Sequence, residues 1–245
     1  MAHHFFISPT QIDDNQAIIT DPIAHQIRNV LRMEVGQYIM VLDNSGWEYE
    51  VELVHIERGQ VIGKVVEKRP SPHEPRTHLT LYQSLMKRDK FEFVLQKVTE
   101  IGVSRIVPVV SQRSLVQTAD LKANKEARWQ RILTEAAEQS QRGRIPELKP
   151  PIKFSEAVTQ LPDYQLSLIA YENGGLPVKA AVSQPSPVTT VALFIGPEGG
   201  YDPGEIHLAQ QHGAILISLG PRILRAETAA LIAPALILYE LENSA

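Results

Sequence analysis

Three short runs of this chain, "QLSLIAYE" (165–172), "TTVALFIGP" (189–197) and "AILISLG" (214–220), are almost continuously apolar. They are too short for buried helices and lack the polar alternation of a strand with one wet face. Such runs read as strands buried on both sides, the signature of a parallel sheet covered by helices. Two more strands, "HLTLYQSL" (78–85) and "RIVPVVS" (105–111), are followed by helical segments, "KRDKFEFVLQKVTEIG" and "NKEARWQRILTEAAEQSQR". Parallel strands need crossovers of this kind. The chain from the seventies onward is therefore expected to be α/β.

The first 70 residues follow another rule. "YIMVLD" (38–43), "EYEVELVHIE" (48–57) and "QVIGKVVEK" (60–68) roughly alternate, with turn signals at Asn44-Ser45-Gly46 and Arg58-Gly59 between them. Ahead of them, "DPIAHQIRNVLRM" has helical spacing: Ile23, Ile27, Val30 and Leu31 fall on one face, Asp21 serves as cap and Pro22 opens the first turn. This predicts a small β-barrel with one helix. "KRPSPHEPR" (68–76), with three prolines in nine residues, reads as the linker. The predicted domains are residues 1–72 and 73–245.

Composition removes several chemistries. There is no cysteine, so disulfides, thiolate metal sites and cysteine nucleophiles are excluded. The amino terminus "MAHHFFISPTQ" does not read as a signal peptide, and no apolar run nears the roughly 20 residues of a membrane span. A cytoplasmic protein is expected. No HExxH or clustered carboxylate motif appears, so no metal is expected. The formal net charge of −4 conceals an asymmetry: residues 86–146 carry twelve basic and seven acidic groups, whereas both flanks are acidic. A basic middle in an acidic chain is a candidate footprint for a polyanion, or else a solvated face of mixed charge.

The parallel strands end in "YENGG" (171–175), "IGPEGG" (195–200) and "LGPRILRAETA" (219–229). In open α/β sheets, ligands sit beyond the carboxyl ends of the strands. Three glycine turns at one edge predict a pocket built largely of backbone. Phosphate is a poor occupant: no Lys-Ser or Lys-Thr follows a glycine turn, GxGxxG is absent, and Glu198 would repel an anion. From Asp202 onward "YDPGEI" is explained as a helix start, with Asp202 as N-cap, Pro203 at the first position and Glu205 closing a capping box.

"IGPEGGYDPGEI" followed by "ISLGPRILRAETAA" resembles the carboxyl-terminal motifs of RsmE-type 16S ribosomal RNA (uracil-N3)-methyltransferases, of the SPOUT superfamily. "IRNVLRMEVGQ", "QKVTEIGVSRIVPV", "SQRS" and "RWQRILTEAAEQSQRGRIPEL" match further blocks in family order, so the likeness covers nearly the whole chain. It implies a PUA-like RNA-binding β-barrel, then an α/β domain tied in a trefoil knot, and a homodimer packed through the knotted domains. The last helix, "TAALIAPALILYEL", is apolar around most of its circumference and is expected to be buried.

The resemblance implies S-adenosylmethionine as cofactor, held by Tyr171, Glu172, Ile195, Gly196, Glu198, Gly200, Leu219, Gly220, Ile223, Leu224 and Thr228. It implies 16S ribosomal RNA or the 30S subunit as partner. Arg225 is the candidate for stabilising negative charge on the uracil, and Glu198 or Glu172 for accepting the N3 proton. Arg28, Arg32, Arg113, Arg128, Arg131, Arg142 and Arg144 are candidate RNA contacts. His3 and His4 stand where the family often has an arginine, which weakens an amino-terminal RNA contact or makes it pH-dependent. Two alternatives stay open: ribose 2′-O-methylation on the same scaffold, and a non-catalytic ribosome-assembly factor that binds RNA.

Overall fold

The structure, a computed structural model, describes residues 3–116, 125–183 and 186–243. It divides into two compact units. The first comprises Met1–Glu74 with Ala137–Ile145, and the second Pro75–Ala136 with Pro146–Ala245.

The first unit holds β1 (His4–Phe6), β2 (Gln16–Thr20), β3 (Tyr38–Leu42), β4 (Trp47–Glu57) and β5 (Gln60–Pro70) in the order β1-β3-β4-β5-β2. All five strands send side chains into one cluster that includes Phe5, Ile19, Ile39, Val51 and Val61, so the sheet curls round a single core. Bulges at Glu50/Val51 and Leu53/His55 supply bends in the long β4–β5 ribbon. The helix before β3 departs from expectation. Three α-helical residues, α1 (Ile23–His25), run into a π-turn over Gln26–Val30. The wider turn keeps Ile27 in the core but rotates Val30 outward, where it is exposed. Asp21 does act at the helix start, its Oδ1 accepting the His25 amide at 2.9 Å.

The predicted boundary gave residues 137–145 to the second domain, but the first unit includes them. Ala137 and Ile145 pack with Phe6 and Leu42. Glu138 Oε1 accepts the Phe6 amide at 3.0 Å, and Asn44 Oδ1 accepts the Ile145 amide at 2.7 Å. These are mostly single polar contacts, which leave no periodic trace in sequence.

The second unit is the expected parallel sheet, in the order β11-β13-β10-β12-β6-β7-β8 with β9 also on β7. Its strands are β6 (His78–Ser84), β7 (Arg105–Val110), β8 (Glu147–Leu148), β9 (Ile152–Lys153), β10 (Leu166–Ala170), β11 (Leu176–Pro177), β12 (Thr190–Ile195) and β13 (Ile215–Ser218). The helices are α2 (Arg88–Ile101), α3 (Lys125–Gln139, whose last three residues belong to the first unit), α4 (Phe154–Val158), α5 (Val178–Val182), α6 (Pro203–Gln211) and α7 (Ala226–Asn243). Tyr82, Ile169, Ala192 and Phe194 pack with Phe154, Val158, Ile206 and Ala209, so α4 and α6 cover one face. Their strand neighbours Leu81, Leu168 and Leu193 alternate to the other side and are fully buried. α7 packs on β6 and β12 and against α2 and α5.

The last helix is not buried all round. Ala226, Ala230, Ala233 and Ile237 form its buried face, whereas Ile232, Leu236 and Tyr239 form an exposed apolar stripe. An apolar circumference within one chain has only one sheet to cover it, so half remains open.

Candidate active site at three glycine turns

The three turns do converge. The carboxyl ends of β10, β12 and β13 surround a cavity of about 370 Å³. Of the eleven residues assigned to the pocket, Tyr171, Glu172, Ile195, Gly196, Glu198, Gly200, Leu219, Gly220, Ile223 and Leu224 line it. Thr228 does not. It is exposed on α7, where Ala226, Glu227 and Ala229 instead face the cavity. The helical repeat of about 3.6 residues turns position 228 away from that side.

Two glycines show why backbone is needed here. Gly200 has φ +69°, and a Cβ on it would stand 2.6 Å from Glu172 Oε1, so a side chain would displace the carboxylate. Gly175 has φ +143°, and its Cβ would lie 2.8 Å from the Ile217 backbone, so the first turn crosses β13 only with glycine there. The helix start after the second turn forms as read. Asp202 Oδ1 accepts the Gly204 amide at 2.9 Å and Glu205 Oε2 accepts the Asp202 amide at 3.0 Å. Glu205 Oε1 also accepts the Gln112 amide at 2.8 Å, tying this start to the loop after β7. Tyr201 packs beside Gly196, fully buried, and burial pushes its phenol up from the ordinary tyrosine value.

Charge gathers at one side of the cavity. Glu198 Oε1 and Oε2 are both buried and accept no hydrogen bond. Lys90, from the first turn of α2, lines the same space and was not foreseen. Its Nζ donates to Glu227 Oε2 at 3.1 Å and lies 3.7 Å from Glu198 Oε1. Burial pushes the Glu227 carboxyl up, but hydrogen bonds from its own backbone and Lys90, with the Lys90 and Arg225 charges, bring it below the usual carboxylate range. Arg222 and Arg225 complete the lining from the third turn. Glu227 follows two positions after Arg225 in "RAET", which could have signalled it. Lys90 is about eighty residues before the first glycine turn, and only the fold brings it there.

The arginines read as RNA contacts divide sharply. Arg142 is a correction: it is 2% exposed and pairs with Glu74 through Nε at 3.2 Å and Nη2 at 2.9 Å. A guanidinium sealed on a carboxylate inside the first unit has no face for phosphate. Arg144 is exposed but donates to the Ser45 carbonyl, bracing the Gly46 turn. Arg128 makes two 2.7 Å bonds to Glu92, Arg131 pairs with Glu135 on its own helix, and Arg113 pairs with Asp202. The positive charge of the middle segment is therefore largely matched by carboxylates. Surface pairs of this sort are worth about 0–1 kcal/mol and open readily to a phosphate. Arg28 and Arg32 are exposed on the first unit.

Among the described residues, no three or more His, Asp or Glu side chains are grouped to hold a metal ion, and no helix is long and apolar enough to cross a membrane. Comparison with known proteins decides the family. A model described as an RNA methyltransferase domain matches residues 72–238. The chain belongs to the RNA methyltransferase family. A second model, described as an RNA methyltransferase PUA domain, matches residues 19–66. The ribosomal RNA small subunit methyltransferase E of Bacillus subtilis is 34% identical over 230 residues, covering 91% of this chain and 90% of that protein. The enzyme of that name from Synechocystis is 34% identical over 247 residues, 99% of this chain and 79% of its own. A crystal structure of ribosomal RNA small subunit methyltransferase E from Neisseria gonorrhoeae, bound to S-adenosyl methionine, matches with TM-score 0.87 at 30% identity, over 98% of both chains. The fold of this RNA methyltransferase is thus a PUA-like unit followed by a SPOUT α/β unit.

Proposed function

We propose that this RNA methyltransferase moves the methyl group of S-adenosylmethionine to N3 of a uridine in 16S ribosomal RNA. The observation that carries the reading is the convergence of all three glycine turns on one cavity whose lining includes a buried, unbonded carboxylate. S-adenosylmethionine suits that lining: it carries no phosphate, and its adenosine needs backbone partners and apolar walls. Ile195, Leu219, Ile223 and Leu224 would wall the group, and Gly196, Gly200 and Gly220 would let it approach main chain. Ile223 is 85% exposed at the mouth, an apolar side chain that a ligand would cover. When bound, the cofactor supplies a methyl already activated on a sulfonium.

The chain's own residues then have separate tasks. N3 of uracil is a weak acid that must lose its proton as the new bond forms. Glu198, with no donor occupying its oxygens, is the proposed acceptor. Arg225 faces the cavity and would steady negative charge developing on the base. Closing the site on substrate excludes water and aligns N3.

The relatives named for the small subunit support 16S RNA within the 30S particle as substrate, and cytoplasm as the compartment. The residue 1–72 region would bind RNA through exposed Arg28 and Arg32. A homodimer through the second unit is supported by the exposed stripe of Ile232, Leu236 and Tyr239 on α7, with Phe93 exposed on the neighbouring α2. A trefoil knot is supported by the sheet order, in which the chain leaves β12, passes beyond β10 to form β13, and returns through the third turn to α7. Tritiated-methyl transfer to undermethylated 30S subunits, followed by nucleoside analysis, tests the reading. 3-Methyluridine is the expected product. Recovery of a 2′-O-methylated nucleoside would favour ribose methylation, and no transfer would favour a non-catalytic assembly factor.

A further inference from the structure

We infer that Lys90 is a positioning residue: anchored on Glu227, it holds a positive charge beside Glu198 without occupying the oxygens that take the proton. The inference rests on the methyl-transfer reading above and deepens it.

Three features of the geometry carry it. Lys90 Nζ lies 3.1 Å from Glu227 Oε2, a hydrogen bond between full charges, which fixes the ammonium. The same Nζ is 3.7 Å from Glu198 Oε1, inside ion-pair range but beyond hydrogen-bonding distance. Glu198 keeps both oxygens buried and without a hydrogen bond. A cation held just short of bonding places its charge beside the carboxylate while leaving the lone pairs open. Were Lys90 bonded directly, it would compete with the substrate proton.

The residues come from three elements: Lys90 from α2, Glu198 from the turn after β12, and Glu227 from the start of α7. Besides Lys90 and Glu227, the titratable or charged groups that share the cavity lining with Glu198 are Tyr171, Glu172, Tyr201, Arg222 and Arg225. Glu172 adds negative charge to the lining and the two arginines add positive charge. Lys90 is the cation within ion-pair distance of Glu198 among the described residues, at 3.7 Å.

In the proposed step the N3–H bond breaks and its proton passes to Glu198. The N3 electron pair forms the bond to the methyl carbon, and the carbon–sulfur bond breaks to leave a neutral thioether. The proton then leaves Glu198 for solvent.

The test reads the Glu198 carboxyl directly. Protein labelled with carboxyl-¹³C glutamate is titrated without cofactor by NMR, the Glu198 resonance being assigned by its loss in Glu198→Gln. Lys90→Met is expected to raise the Glu198 midpoint by about one unit or more, since an opposite charge within about 4–6 Å lowers a carboxyl by that order. Lys90→Arg keeps the charge and is expected to leave the midpoint nearly where it was. Glu227→Gln frees the ammonium to bond Glu198, so the midpoint is expected to fall. The acid limb of kcat for methyl transfer should move with the Lys90→Met midpoint. An unchanged midpoint in Lys90→Met, or a rise as large in Lys90→Arg, overturns the inference. If Lys90→Met does not fold, the sign of the Glu227→Gln shift decides, and a rise there overturns it. Absence of methyl transfer by the unmodified protein refutes the functional reading instead, while the carboxyl titration still judges Lys90.

Discussion

In the first unit the charged groups close on one another. Arg142 seals Glu74, Arg69 Nε bonds the buried Glu48 at 2.6 Å, and Lys68 reaches Asp14 at 2.7 Å while lying over the Trp47 and Tyr49 rings. Buried side-chain oxygens without hydrogen bonds in the second unit lie on β6 and in the turn after β12, at Thr80, Gln83 and Glu198, while among the described residues the first unit has Ser71. Unmade polar contacts in a buried place cost about 1–3 kcal/mol each, so a fold keeps them where something else is gained. The first unit uses charge to fix its shape. The second also pairs much of its surface charge but leaves Glu198 without a hydrogen bond at the cavity, where the proposed ligand and proton would be handled. Substitutions should therefore separate stability from turnover along the same line.

Glu198→Gln puts the largest strain on that contrast. If Glu198 takes the N3 proton, kcat should drop by about 10²–10⁴-fold, the usual worth of a general base. Its melting temperature should hold or rise, since a desolvated, unbonded carboxylate is lost. A drop in melting temperature with unchanged kcat would place Glu198 with the structural charges instead. Arg142→Ala is the mirror case. Breaking a buried pair leaves Glu74 uncompensated and should cost about 3–5 kcal/mol in urea unfolding. Cofactor affinity of the folded fraction should not change.

The Lys90–Glu227 pair bridges the two behaviours, being an ion pair inside the cavity. The Glu227 carboxyl is held below the usual range, so the folded state binds its proton less readily than the unfolded chain. Its contribution to stability is complete above the unfolded value and fades as pH falls through the folded one. The stability gap between wild type and Glu227→Gln, by urea titration, should be wider at about pH 7 than at about pH 3.5. A gap constant with pH would show that the pair contributes by packing alone.

Much of this was readable before the fold. Continuous apolar runs announced the parallel strands because burial on both faces erases alternation, and "YDPGEI" announced its capping box because a cap is local. The three glycine turns were legible for the same reason: ten of the eleven residues proposed for the cofactor line one cavity. What sequence could not give was long-range charge. Arg142 and Arg144 looked alike in "QRGR", yet one meets Glu74 and the other a turn carbonyl. β1 and β2 were missed because strands of three and five residues give too few alternations. Val30 was misplaced because a π-turn changes the helical period without altering the residues that suggest a helix.

The central claim is that the three glycine turns form the methyl-donor site. It is tested most directly by calorimetric titration of S-adenosylmethionine into wild type and Gly200→Ala, with melting curves to show that both are folded. Wild type should bind one cofactor per chain. The variant should bind at least about tenfold more weakly, because its Cβ drives the Glu172 carboxylate into the cavity and φ +69° strains any residue but glycine. Equal affinity in a folded Gly200→Ala would contradict the claim and send the cofactor elsewhere on the sheet.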